Sequence, residues 1–288
     1  MTDALSLHDV CKSYHDSNFF LDHISFALPQ GTIMGFVGEN GAGKTTTIGC
    51  ILNTLQRDSG KIEMLGEEMD DSSTSLRNDI GVVYDGENFP AYLTAEHLAS
   101  IMRCTFKNWD DHLFQQYLQR FHLDKRQKIG KYSKGMSMKL AIAAALSHHP
   151  KLLILDEPTG GLDPVVRDEM LDIFLDFVAR ADHSILFSSH ITSDLEKIAD
   201  YITLIHQGKI LLSEAKDDIL YRHAILRCKE NQFPMIDRQD IMAYRRRDYQ
   251  IDVLVKNKQI AQHKYPEIAM DRVTIDEMLL ILTKGDLP

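Results

Sequence analysis

Residues 38–45, Gly38-Glu39-Asn40-Gly41-Ala42-Gly43-Lys44-Thr45, fit the spacing Gly-x-x-x-x-Gly-Lys-Thr of a phosphate-binding loop at every fixed position. A triphosphate crowds several negative charges into a small volume, so the chain that holds it must aim many backbone N–H groups at one point. Glycines permit this because, without a Cβ, they reach positive φ and let the backbone come close. The N–H groups from Gly38 through Asn40, Gly41, Ala42 and Gly43 to Thr46 would form an anion-binding nest, and the helix that follows adds the positive end of its dipole. Lys44 would reach the β- and γ-phosphates, and Thr45 would offer a hydroxyl to Mg²⁺. The ligand this predicts is a nucleoside triphosphate such as ATP, with Mg²⁺.

A second set of residues completes the chemistry. Leu152-Leu153-Ile154-Leu155-Asp156-Glu157 places two carboxylates at the end of an apolar run. Downstream of a complete phosphate loop, the first acid helps to hold Mg²⁺ and the second polarises an attacking water. Pro158-Thr159-Gly160-Gly161-Leu162-Asp163-Pro164 follows directly, and Ser188-Ser189-His190 ends the next apolar run. His190 would share a sheet edge with Glu157, where it could sense a γ-phosphate.

These groups need elements that hold them. Thr32-Ile33-Met34-Gly35-Phe36-Val37 reads as a buried strand, and Ile48, Ile51, Leu52 and Leu55 as one face of the helix after the loop. Alternation in residues 5–10 and 24–28 predicts antiparallel strands, with a short strand at 60–64. From about 86 to 132 the pattern is helical: Leu98, Ile101 and Met102 share one face, and Leu113, Phe114, Tyr117, Leu118 and Phe121 form a stripe with Asp110 as its N-cap. Runs at 151–155 and 184–188 read as strands covered on both faces, and 201–205 and 209–212 flank Gln207-Gly208 as a hairpin. Past about 214, residues 224–228 and 250–255 read as strands. Thr274-Ile275-Asp276-Glu277 is a capping box before a helix through Leu282. The expected architecture is an α/β P-loop NTPase (RecA-like) core with an antiparallel β subdomain, a helical insertion and a small C-terminal α/β appendage. The domains are expected at 1–213 and 214–288.

Composition sets limits. With 288 residues, 44% hydrophobic and 26% charged, the chain can form one large globular domain or two. No apolar run approaches the ~20 residues of a spanning helix, and the N-terminus lacks a signal-peptide layout. A cytoplasmic protein that reaches a membrane only through a partner is the expectation. Cys11, Cys50, Cys104 and Cys228 are scattered, as free thiols are. A net charge of −10 argues against a nucleic-acid partner, and Arg245-Arg246-Arg247 reads as a solvated turn.

Taken in order, these motifs resemble the ATP-binding subunits of ABC transporters over about residues 5–212. The resemblance implies that Tyr14 stacks on adenine, although a half-buried strand-end tyrosine is an equally simple reading. It implies that Asp156 is the Mg²⁺-associated acid, Glu157 the catalytic base, His190 the switch, and Asp163 the residue linking the two sites of a dimer. The family's signature, Leu-Ser-Gly-Gly-Gln, stands here as Tyr132-Ser133-Lys134-Gly135-Met136. Ser133 and Gly135 would present a hydroxyl and a backbone N–H to the γ-phosphate of a second ATP-binding subunit, identical or related. This variant resembles Gram-positive exporters and immunity transporters for peptides and peptide antibiotics. The second departure is Asp85, where the family usually has a Gln that touches Mg²⁺ and relays to the membrane subunit. The helical insertion would contact that polytopic subunit at the cytoplasmic face of the membrane. The rival readings are a soluble ABC-type ATPase on ribosomes or DNA, and a regulatory module without catalysis. Against the first stand the single cassette and the lack of sustained heptads; against the second stand Glu157 and His190. A GTPase is disfavoured because Asn257-Lys258-Gln259-Ile260 fails the guanine-reading pattern at its last position.

Overall fold

The computed structural model describes residues 2–14, 17–70, 73 and 75–288. β1 (Asp3–Tyr14) and β2 (Ser17–Pro29) pair antiparallel. They bury Leu5, Leu7, Val10, Leu21, Ile24 and Leu28. β3 (Ile33–Val37) leads through the phosphate loop into α1 (Lys44–Ile51). The helix is shorter than its apolar pattern suggests. Asn53 takes a left-handed φ of 53° just past it, which closes the last turn. Leu55 then folds back so closely that a Cβ on Gly49 would lie 2.6 Å from its Cδ1. β4 (Ser59–Met64) and β5 (Glu67–Glu68) complete a four-stranded sheet in the order β2-β1-β4-β5.

β6 (Ile80–Val83) precedes the helical insertion, α2 (Ala95–Thr105) and α3 (Asp111–Arg120). The Asp110 carboxylate accepts from Leu113 N at 2.9 Å, as an N-cap does. On α2 the buried face is narrower than expected: Leu98 and Ala99 are buried, whereas Ile101 is 47% exposed. α4 (Lys134–Leu146) is buried along most of its length. There follow β7 (Leu152–Asp156), α5 (Pro164–Val178), β8 (Ser184–Ser189), α6 (Thr192–Ile198), β9 (Tyr201–His206) and β10 (Lys209–Ala215). Together they build a six-stranded sheet, β10-β9-β3-β8-β7-β6, parallel except for the β10 edge. Its period-2 alternation sorts side chains between two cores. Ile33, Val37, Leu153, Leu155, Ile185 and Phe187 join the helical side, and Met34, Phe36, Leu152, Ile154 and Leu186 join the side of the antiparallel sheet. Gln207 and Gly208 turn the β9–β10 hairpin with φ of 47° and 73°, both positive as a type I′ turn requires. In the parallel register Val37 lies beside Ser189 and Asp156 beside Ser188. The phosphate loop, the acid pair and the residues after β8 thus emerge at one sheet edge.

The C-terminal part comprises α7 (Lys216–Arg222), β11 (Ala224–Cys228), β12 (Ile241–Arg246), β13 (Ile251–Val255), α8 (Lys258–Lys264), β14 (Ala269–Asp271) and α9 (Ile275–Lys284). Its antiparallel sheet runs β12-β13-β11-β14. Ala224, Leu226 and Cys228 face a core of its own, while Ile225 faces the larger core together with Leu195 and Ile198 of α6. The arginine run is not a solvated turn. Arg245 and Arg246 lie in β12; Arg246 pairs with Glu230 and covers the Phe233 ring, and Arg247 pairs with Asp252. The alternation of buried Ile241 and Ala243 that marks the strand is masked by the charges after it. The capping box is half made. Thr274 Oγ1 accepts from Glu277 N at 3.2 Å, but the Glu277 carboxylate turns to Arg227.

Candidate nucleotide-binding site

Gly38 and Gly43 show why the loop needs glycine. A Cβ on Gly38 would stand 2.6 Å from Ile205 O, and Gly43 holds a φ of 117°. α1 starts at Lys44, so its free N–H groups face the loop. Lys44 is only 6% exposed. Its ammonium donates to Gly38 O at 2.7 Å and stands 3.1 Å from Glu157 Oε1.

The acid pair is fixed by hydroxyls. Asp156, buried at the end of β7, accepts from Thr45 Oγ1 at 2.9 Å and from Ser188 Oγ at 2.6 Å. Glu157 sits at φ 50°, a left-handed conformation that costs on the order of 1 kcal/mol in a non-glycine residue. Two bonds hold it there, from Glu157 N to Ser188 O at 3.2 Å and to Ser188 Oγ at 3.1 Å. The result is a carboxylate set between Lys44 and His190, whose Nδ1 lies 2.7 Å from Glu157 Oε2. Glu157 Oε1 is buried, and its contact with Lys44 is too poorly aligned for a hydrogen bond. A buried oxygen in that condition is primed to accept from an incoming donor.

A cavity of about 530 Å³ is lined by Phe19, Asn40, Gly41, Gly43, Lys44, Thr45, Thr46, Asp85, Asp156 and Glu157. It brings most of the sequence-derived residues together. Tyr14 is not among its lining; Phe19 of β2 is the aromatic at its wall, and a Cβ on Gly43 would lie 3.0 Å from its ring. Ser133, Gly135 and Asp163 also lie outside this cavity. Ser133 is the N-cap of α4 and accepts from Met136 N at 3.2 Å, which leaves its own O–H proton to donate elsewhere. Asp163 caps α5 through Val165 N and Val166 N. Sequence reasoning missed Ser188 and Phe19. For Ser188 a signal existed: a hydroxyl within a buried strand must find partners. Burial holds the Tyr84 phenol above its ordinary range, and the nearby Asp156 charge adds to this.

A glycine nest at a helix N-terminus, a buried lysine, and an Asp-Glu pair at the end of β7, a parallel strand separated from β3 by β8, define a P-loop nucleotide-hydrolysing domain. Comparisons place it more closely. The sequence profile of the ABC transporter family matches residues 21–160. The chain is 38% identical over 215 residues to the bacitracin transport ATP-binding protein BcrA of Bacillus licheniformis, covering 73% of this chain and 69% of that one. It is 31% identical over 219 residues to the BcrA of Enterococcus faecalis, again covering 73% and 69%. A solved structure of an ATP-binding subunit of an ABC transporter superposes with a TM-score of 0.68 at 26% identity, over 75% of this chain and 91% of that one. The chain belongs to the ABC transporter family as an ATP-binding subunit, and it is an ATPase. Subunits of this kind dimerise and work with membrane components. No helix among the described residues is long and apolar enough to cross a membrane.

Proposed function

We propose that this subunit binds Mg²⁺-ATP between two copies, or between itself and a related cassette, and powers export of peptides or peptide antibiotics through a separate polytopic membrane subunit. The Glu157 carboxylate, held between Lys44 and His190, is the observation that carries the catalytic part. Glu157 accepts the proton of the attacking water, and Lys44 balances the charge of the phosphates. His190, tied to Glu157, reports on the γ-phosphate.

Thr45 and Asp156 are the residues that would hold Mg²⁺. Their hard oxygens, 2.9 Å apart, suit that ion, which takes few protein ligands when phosphates and water supply the rest. When bound, that cation would offset charge on the phosphate oxygens. Asp85, at the rim of the same cavity, is a further oxygen donor. Phe19 is the better placed aromatic for a nucleotide base. The free Ser133 hydroxyl and the Gly135 N–H, at the N-terminus of α4, serve the triphosphate of the second subunit, with Asp163 on the loop between the two sites.

Three observations support export and the partner. The signature segment resembles that of peptide-antibiotic exporters, and two relatives carry bacitracin transport in their names. An apolar groove of about 390 Å³ runs between the core and α2, lined among others by Leu52, Ile80, Val82, Tyr84 and Phe106, and it suits a helix of the membrane subunit. That contact would hold the protein at the cytoplasmic face of the membrane.

The test is Glu157→Gln. It should bind ATP, lose about 100-fold or more in hydrolysis and accumulate closed dimers on size-exclusion chromatography. Normal turnover would remove Glu157 from its role. Export is tested by peptide resistance in cells that carry the membrane subunit with or without this chain.

A further inference from the structure

Two of the positions at which the sequence departs from the family pattern meet in space. Lys134 Nζ stands 3.4 Å from Asp85 Oδ1. Asp85 follows β6 and belongs to the sheet edge; Lys134 is the first residue of α4, directly after the N-cap Ser133. The pair therefore spans from the nucleotide cavity to the segment that faces a second subunit.

Asp85 lines two cavities at once. One is the cavity of Lys44, Thr45 and Asp156; the other, of about 480 Å³, is lined by Tyr132, Lys134 and Ser137 among others. A carboxylate in the wall of a triphosphate cavity repels the phosphates unless a cation compensates it. Lys134 supplies that cation within the chain. The two side chains are 51% and 52% exposed, and an ion pair in that setting is weakly held and exchanges readily. A divalent cation is the stronger competitor for the carboxylate, because it is the largest local charge. The lysine lies against Gly161, whose missing side chain leaves it that place: a Cβ there would stand only 3.2 Å from Nζ.

Resting on the reading of the site above, we propose that Asp85 and Lys134 form an exchangeable strap. Mg²⁺-ATP bound at Lys44 and Thr45 draws Asp85 off Lys134. The released ammonium then joins the Ser133 hydroxyl and the N-terminal N–H groups of α4 in holding the triphosphate of a second copy of this chain. Lys134 is thus a positive ligand supplied in trans, and Asp85 is the group that withholds it until the subunit's own site is filled.

The experiment uses the Glu157→Gln protein, in which binding is separated from turnover. Binding of a fluorescent ATP analogue with Mg²⁺ reports the single subunit, and analytical ultracentrifugation reports dimers. Lys134→Gln should weaken ATP-dependent dimerisation about tenfold, with single-subunit affinity within about threefold of the parent. Asp85→Gln should strengthen dimerisation several-fold, because Lys134 is already free. The double variant should behave as Lys134→Gln alone, since Asp85 acts through Lys134. Dimerisation of Lys134→Gln equal to the parent would overturn the strap, and so would an Asp85→Gln effect that persists at full size without Lys134. If the parent itself failed to bind ATP, the reading of the nucleotide site would fall and the strap with it; normal binding with independent effects would overturn the strap alone.

Discussion

Two clusters of buried charge in this chain are built on opposite terms. At the nucleotide site Glu157 is held at a left-handed φ of 50°, one of its oxygens lacks a well-aligned donor, and Lys44 shares its ammonium between backbone carbonyls and that carboxylate. In the C-terminal part Arg227 reaches Asp252 and Asp271, each at 2.9 Å, and Glu277 besides. Burial alone would weaken the guanidinium charge, but the bonds to Asp271, Glu277 and Asp252 outweigh it and raise its pKa above the ordinary value. Asp252 is fully buried and also has Arg247 at 2.5 Å from Oδ2, although that contact is poorly aligned. The contrast separates two uses of charge. Both clusters hold a buried carboxylate oxygen without a hydrogen bond, but Glu157 sits at a strained backbone angle in the wall of an open cavity, ready for a ligand, while Arg227, spread over three carboxylates, holds strands and a helix together.

Arg227→Ala should give the largest effect on stability. It leaves Asp252 with Arg247 as its one remaining cation, and removing one member of such a buried network costs about 3 kcal/mol. Urea unfolding measures the loss, and ATP hydrolysis per folded molecule should be retained. A loss below about 1 kcal/mol would place Arg227 with ordinary surface pairs and erase the contrast. Lys44→Ala comes next and acts in the other sense. ATP affinity should fall about 100-fold, or about 2.7 kcal/mol, with little change in unfolding. Unchanged binding would remove the phosphate-loop reading altogether.

Much of this was legible in the sequence because it is local. The phosphate loop, the Asp156-Glu157 pair, the Gln207-Gly208 turn and the Asp110 cap each depend on residues close in the chain, and each stands in the structure where its pattern put it. What stayed hidden depends on distant partners or on one backbone angle. Ser188 anchors both acids only because β7 and β8 are neighbours in register. Phe19 reaches the nucleotide cavity only because β2 folds beside the phosphate loop. The end of α1 is set by the positive φ of Asn53, and the apolar period continued past it. Glu277 left its capping role for Arg227, a competition between a backbone amide and a guanidinium that local pattern cannot weigh.

Each region also carries one buried thiol, which allows a finer comparison. Cys50 lies in α1 and Cys228 in β11, and burial pushes both up to about 11. At pH 8 the exposed Cys104 should react at once with a thiol reagent, and these two should react only as their surroundings open. Saturating ATP should slow Cys50 about tenfold and leave Cys228 within about twofold. Equal protection of both would mean that the regions open as one unit. The sign of the pH effect follows from the raised values. Unfolding returns each thiol to its ordinary 9.0, so their contribution to stability is full below pH 9 and is lost as pH rises toward 11. Melting temperatures across that range check it.

The smallest predicted effect tests whether the two regions are energetically joined. The N-terminus of α9 is capped twice: Thr274 Oγ1 takes Glu277 N at 3.2 Å, and Glu196 of α6 takes Ile275 N at 3.0 Å. Thr274→Ala should cost about 1 kcal/mol, the usual worth of such a cap. Glu196→Ala serves a different N–H, so the two losses should add within about 0.5 kcal/mol. At its other end α9 places Lys284 Nζ 3.3 Å from Glu39 Oε1 of the phosphate loop. That pair is half exposed and therefore weak, so loosening α9 should leave the KM for ATP within about twofold. A larger shift in KM with Thr274→Ala would show that the Arg227 cluster and the Glu157 site are coupled through Lys284, and that the C-terminal part tunes the loop that holds the phosphates.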